Sequence, residues 1–247
     1  MRLFELASAE TEDRFADLLR QATKSAIVGK PQLYVPRPES DYGGGSAPMP
    51  TADQRFDPSP GAQKPQAGFW TSTAEEKADG WESAWSTWVK GEMPKWFSEV
   101  GTLFYPVPGA KILELNTDAD YTEVYNLYVE LTHAKHPDIE RDMGAMKISK
   151  NFPWPWVAQH WDAVHTTNPN SWGLHMAAWD VESTVWFNLD ALQKLGKVSV
   201  SADGIKNNPQ SAWDDWDEDD YDGKDDYKDD DYEDDDYEDE DIYRETP

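Results

Sequence analysis

Asp180 and Glu182 stand two residues apart in the stretch GLHMAAWDVESTVWFN, residues 173–188. From Val181 onward the β-branched and aromatic residues Val181, Thr184, Val185, Trp186 and Phe187 predict a strand. Side chains two apart on a strand share a face, so both carboxylates should project from one side. An ionised carboxylate is costly to bury unless it is paired or hydrogen-bonded. Two readings follow. The acids lie in water at a strand end, or the strand lines a cleft in which a carboxylate has chemistry to perform.

Two earlier stretches bear on that choice. LYVPR ends a short strand-like run with Arg37, and FWTST carries Ser72 and Thr73. A cation, two hydroxyls and a late carboxylate are the parts needed to split the bond between nicotinamide and ribose in NAD. The cation holds the diphosphate, hydroxyls order the ribose and the acid, and the carboxylate stabilises an oxocarbenium-like centre or bonds the ribose 2′-hydroxyl.

Other candidates carry less. His133 and His136 are three apart and could share a helical face, but no third ligand stands near them, so no metal site is assigned. His165, three residues after Asp162, reads as a structural histidine bonded to backbone, with support of a site as the alternative. No G-x-S-x-G elbow and no Gly-rich phosphate loop occurs.

The elements that must position these residues follow from periodicity. Phe15, Leu18, Leu19 and Ala22 are helically spaced, with Ser8 or Thr11 as N-cap. Gln32–Val35 predicts a short strand stopped by prolines. Residues 39–68, rich in Gly, Pro and Ser, predict a long flexible loop. A strand restarts at Gly68, and Trp81, Ala84, Trp85 and Trp88 fall on one helical face. Ala110–Thr117 alternates as a strand, and a helix starts near Thr117 or Asp118. A short helix around Val157–His160, a strand at Ala163–Thr166 and a last strand in GKVSVSA complete the chain. Strands and helices are interspersed without a strict βαβ rhythm, which predicts an α+β class.

Composition divides the chain. Of 247 residues, 49 are acidic and 22 basic, for a net charge of −27, and 13 are Trp. From Trp213 to Pro247 there are 21 acidic and three basic residues, leaving a net −9 on the preceding 212. The body is an ordinary acidic domain, and the tail is too highly charged to fold by itself. Its tyrosines recur at 221, 227, 232, 237 and 243. Such a charge disfavours direct binding of nucleic acid, which needs a basic face. Without cysteine there is neither a disulfide framework nor a thiolate metal site. No apolar run suits a signal peptide or a membrane span, so a soluble protein of a reducing compartment, the cytoplasm, is expected.

The trio resembles the Arg–Ser–Glu signature of mono-ADP-ribosyltransferases: Arg on the first core strand, a Ser-Thr-Ser-like second strand, and a late Glu preceded two residues earlier by Glu or Gln. GWESAWSTWVKGEMPKW, PGAKILELNTDADY, WDAVHTT and WDVESTVWFN are also similar to phage-encoded proteins associated with that fold. The resemblance runs from about Gln32 to Leu189. It implies a split β-sandwich with flanking helices, in which residues 1–30 form a helical segment, 31–205 the transferase-like domain and 206–247 a disordered acidic tail. It implies NAD as co-substrate, with Arg37, Ser72 and Thr73 binding it, Glu182 as the catalytic acid and Asp180 as the group that activates the acceptor. The acceptor would be a protein, in the host cytoplasm if the gene is viral. The sequence departs from the pattern in YVPR, in the Ala74 that follows Ser72 and Thr73, and in Asp180 itself. A rival class is a non-catalytic acidic protein whose tail imitates nucleic-acid phosphates, with tyrosines in place of bases, and occupies a basic, nucleic-acid-binding partner.

Overall fold

The structure, a computed structural model, describes residues 8–36, 49–51, 54–59, 64–132, 148, 151–167, 179 and 181–201. Ser8 opens the first helix, α1 (Ala9–Ala22), its hydroxyl accepting the Thr11 amide at 3.2 Å, while Glu10 and Glu12 complement the positive end of the helix dipole. The apolar stripe Phe15, Leu18, Leu19 and Ala22 packs onto the core, as its spacing predicts. The helix thus belongs to the same compact unit as the strands, which spans residues 1–206.

Then come β1 (Gln32–Tyr34), β2 (Phe69–Lys77) and β3 (Gly80–Ser83), followed by α2 (Ala84–Glu92) and β4 (Val100–Pro106). The second half of the chain supplies β5 (Ile112–Glu114), α3 (Asp118–Thr132), α4 (Trp154–His160), β6 (Ala163–Thr166), β7 (Ser183–Trp186) and β8 (Leu192–Ser199). The class is α+β, with a mixed eight-stranded sheet among the described residues in the order β5-β6-β7-β2-β1-β4-β8 and β3 beside β2. Only β5 and β6 run parallel among these pairs. A parallel pair needs a crossover, and the connection containing α3 and α4 provides it.

Among the described residues the buried apolar side chains form three clusters, two of them on opposite faces of the β5-β6-β7-β2 strands and a third around Leu33, Ala74, Leu103 and Val200. Leu113, Val164, Val185 and Trp70 face α1, α3 and α4, where Tyr121, Phe152, Trp154 and Trp161 fill the interior. On the opposite face Ile112, Ala163, Trp186, Phe69 and Phe104 form a second cluster, covered by Ile27, Met49 and Phe56.

Several elements differ from expectation. Trp81 lies on β3, not on a helix. The Ala78–Asp79 turn closes a hairpin pairing Lys77 with Gly80, and Gly80 takes a φ of 150° where a Cβ would sit 2.8 Å from the Ser199 carbonyl. The helix starts only after Ser83, which forms a capping box with Ser86. Strand β7 begins at Ser183 rather than Val181, so Glu182 occupies the bend before it. Strand β4, unmarked by alternation in VGTLFYP, pairs along its whole length with β8, which extends back to Leu192. Within 39–68, Phe56 donates to the Phe187 carbonyl at 2.8 Å and Gln54 accepts from Leu189 at 3.1 Å. The apolar side chain of Phe56 explains that anchorage, since it closes one end of the second core. The acidic tail lies outside the described residues.

Candidate functional site

A strand of nine residues can serve more neighbours than one, and β2 does so. Along one edge it pairs with β7 up to Thr71 opposite Thr184. Along that same edge it pairs with β3 only from Ala74 opposite Ser83. Ser72 and Thr73 fall in the seam between them. Consecutive amides on a strand point to opposite edges. The Ala74 amide donates to Pro31 on the β1 side at 2.9 Å, so the Thr73 amide points into the seam, where neither neighbour offers a carbonyl. A backbone donor left without a partner there would be costly.

Glu182 fills that place. One residue before β7, its carboxylate accepts the Thr73 amide at 3.0 Å through Oε2. The Thr73 hydroxyl donates to Oε1 at 2.8 Å and the Ser72 hydroxyl to Oε2 at 2.5 Å. Ser72 and Thr73 project to opposite faces of the sheet, yet a carboxylate lying in the seam reaches both. Three donors converge on a group that is acceptor-only when ionised. The Glu182 side chain is 16% exposed, whereas Ser72 is fully buried. An acid open to solvent on one side and fixed from behind on the other can stabilise a developing positive charge or accept from a sugar hydroxyl.

The support behind it is a chain of buried polar groups. Trp186 donates through Nε1 to the Thr71 hydroxyl at 2.8 Å, and Thr71 donates to Gln32 Oε1 at 3.0 Å. Gln32 Nε2 then donates to the Thr73 hydroxyl at 3.1 Å, and that hydroxyl passes its own proton toward Glu182. Gln32 is entirely buried, so both ends of its amide are satisfied within the protein.

On the other flank stands His165, on β6. Its Nδ1 lies 2.9 Å from the Thr184 hydroxyl and 3.5 Å from Glu182 Oε1. Burial holds its pKa below the usual histidine value. That effect outweighs the opposing pull of the Glu182 and Glu114 carboxylates, and Lys30 adds to it. Glu114, opposite His165 on β5, is pushed up by burial. It is nonetheless held below the usual carboxylate value overall, because Ser25 and the Ala26 amide donate to it at 2.6 and 2.9 Å.

The structure therefore brings Ser72, Thr73 and Glu182 together across 110 residues of sequence. Arg37 and Asp180 lie outside the described residues, as do His133 and His136. Among the described residues no group of three or more His, Cys, Asp or Glu side chains could hold a metal ion. Also among them, no helix is long and apolar enough to cross a membrane. Among the described residues the Ser72 hydroxyl donates to Glu182 and no histidine is bonded to it, unlike the nucleophile of a serine-hydrolase triad. Sequence reasoning gave no role to Gln32, Thr184 or Glu114. The available signal was a polar residue inside an apolar run, as in QLY, STVW and ILEL.

Compared with known proteins, the chain matches no family model, no curated protein and no solved structure.

Proposed function

We propose that this protein is an NAD-dependent mono-ADP-ribosyltransferase that transfers ADP-ribose to a protein acceptor, on an ADP-ribosyltransferase-like fold. The observation that carries the reading is the seam of β2, where Ser72 and Thr73 hold the partly exposed Glu182 carboxylate by three hydrogen bonds. Glu182 acts at the anomeric carbon. Its charge stabilises the cation that forms as the bond to nicotinamide breaks with both electrons leaving on the ring nitrogen, and it accepts from the ribose 2′-hydroxyl. Ser72, fully buried, and Thr73 keep the carboxylate aimed, and the half-buried Thr73 shares in ribose contact. Arg37 binds the diphosphate. Asp180 takes the proton that the acceptor nucleophile loses on attack, and neutral nicotinamide leaves.

A second reading is favoured by the charge of −18 on residues 213–247 and by the regular tyrosines there. The tail captures a basic, nucleic-acid-binding protein, either alone or to deliver the catalytic domain to it.

Incubating the full chain with NAD labelled in the ADP-ribose moiety and a cell lysate tests the first reading. Label should enter protein and nicotinamide should be released. No nicotinamide release from wild-type protein at any acceptor concentration overturns it, and salt-sensitive capture of basic proteins without NAD turnover leaves the second.

A further inference from the structure

The mechanism leaves one buried titratable group unused beside Glu182. His165 is 1% exposed, and its Nε2 has no hydrogen-bond partner among the described residues. Its Nδ1 stands between the Thr184 hydroxyl and a Glu182 carboxylate oxygen. A neutral imidazole carries one proton, on either nitrogen. Placing it on Nε2 would bury a donor with nothing to accept it and would turn a lone pair toward the carboxylate. Placing it on Nδ1 gives Thr184 a donor at 2.9 Å and sets the positive end of the N–H dipole 3.5 Å from Glu182 Oε1. The empty position then falls on an acceptor lone pair, less costly than an unmade donor.

We propose that His165 is a positioning residue for Glu182: held neutral as the Nδ1–H tautomer between Thr184 and the carboxylate, it fixes the direction in which Glu182 presents its free side. The kinetic consequence rests on the proposed function, whereas the tautomer and its dependence on Glu182 do not. The charged groups that bear on the imidazole are Glu182 beside β7, Glu114 on β5 and Lys30 before β1. Burial above all, with Lys30, disfavours its protonation, against the pull of the two acids and of the Ser183 backbone. Ser72 and Thr73 hold the carboxylate from the β2 side. Among the described residues, His165 is the titratable group that contacts the carboxylate from the β6 side.

Two measurements on the full chain decide this. The first is nitrogen-15 NMR of the imidazoles. The expected result is a neutral His165 protonated at Nδ1, titrating below the ordinary histidine range. Glu182→Gln should shift its resonances and lower the titration further, because the lost carboxylate had favoured the charged ring. A proton on Nε2, or resonances unmoved by Glu182→Gln, overturns the proposal whether or not the protein uses NAD. The second is NAD cleavage by His165→Leu and His165→Asn. Leucine removes the N–H while filling much of the space, and should lower kcat roughly tenfold with KM changed by less than about threefold. The asparagine amide restores an N–H near Nδ1 and should recover most of that loss. Active wild-type protein with full kcat in His165→Leu overturns the positioning role while the transferase reading stands. Inactive wild-type protein ends the transferase reading and leaves the NMR result to decide the contact.

Discussion

Four adjacent strands, β5, β6, β7 and β2, are apolar at one end and polar at the other, and the change takes one step of the pleat. Phe69, Trp186, Ala163 and Ile112 stand in register across one row. On the same face the next row is Thr71, Thr184, His165 and Glu114. All but Glu114 are buried. The first row is held by packing, which tolerates no gap. The second is held by directed bonds, which tolerate no missing partner. The polar row is affordable because it borders the seam in β2, where a backbone donor already required a side-chain acceptor. A site thus grew at the place where the sheet could not satisfy itself.

Substitutions in the two rows should fail differently. Trp186→Ala, in the apolar row, should cost about 3–5 kcal/mol of stability through its cavity and the lost bond to Thr71, read as a drop in denaturation midpoint. Any activity loss should track the unfolded fraction. Glu182→Gln reverses that balance. It should raise the barrier to NAD cleavage and transfer by about 3–4 kcal/mol while the protein stays folded by circular dichroism, and label transfer at the wild-type rate would make Glu182 structural.

Gln32→Leu probes the link from the polar row to Thr73. The Thr71 and Thr73 hydroxyls each lose a partner, so stability should fall by about 1–3 kcal/mol. Cleavage should also slow under fully folded conditions, because Thr73 is then free to turn away from Glu182. A stability loss with unchanged kcat would confine Gln32 to the fold.

The pH response belongs to the polar row and to one histidine outside it, His160 at the end of α4. His165 and His160 both have folded pKa values below the ordinary 6.5, each because burial disfavours the cation, with Lys111 adding to the effect at His160. The unfolded chain therefore binds more protons below that value, so stability is full above it and is lost as pH falls through 6.5 toward the folded values. Glu114 contributes in the same sense lower down. Its folded pKa is depressed, so its contribution is present above 4.5 and is lost as pH falls below that. Thermal melts from pH 8 to 5 should decline, and His165→Asn should flatten that decline without removing it, since His160 remains.

The smallest effect should come from the tail. Removing residues 211–247 takes away no apolar face and should change stability by less than about 1 kcal/mol. If the tail captures basic partners, the truncated chain should bind them less at low salt, and the difference should vanish as screening shortens to ~8 Å at physiological ionic strength. Equal capture by both forms at low salt removes that role.

By itself the sequence determined what is local or periodic. Ser8 with Phe15, Leu18, Leu19 and Ala22 specified α1 and its buried stripe, because cap and face lie within a few turns. The run from Asp118 to Thr132 specified α3, and AVHT specified β6. Alternation likewise fixed which face of a strand a residue takes, and the composition set the tail apart. Motif order marked Ser72, Thr73 and Glu182, but no spacing could say that they touch. Their contact depends on β2 changing neighbours from β7 to β3 between Thr71 and Ala74, with β3 formed by a hairpin that helical spacing concealed. Gln32 and His165 joined Glu182 for the same reason. A strand's periodicity gives the direction of its side chains, whereas the strand that lies beside it is chosen by packing of the whole chain, and only that choice turned separate polar residues into one site.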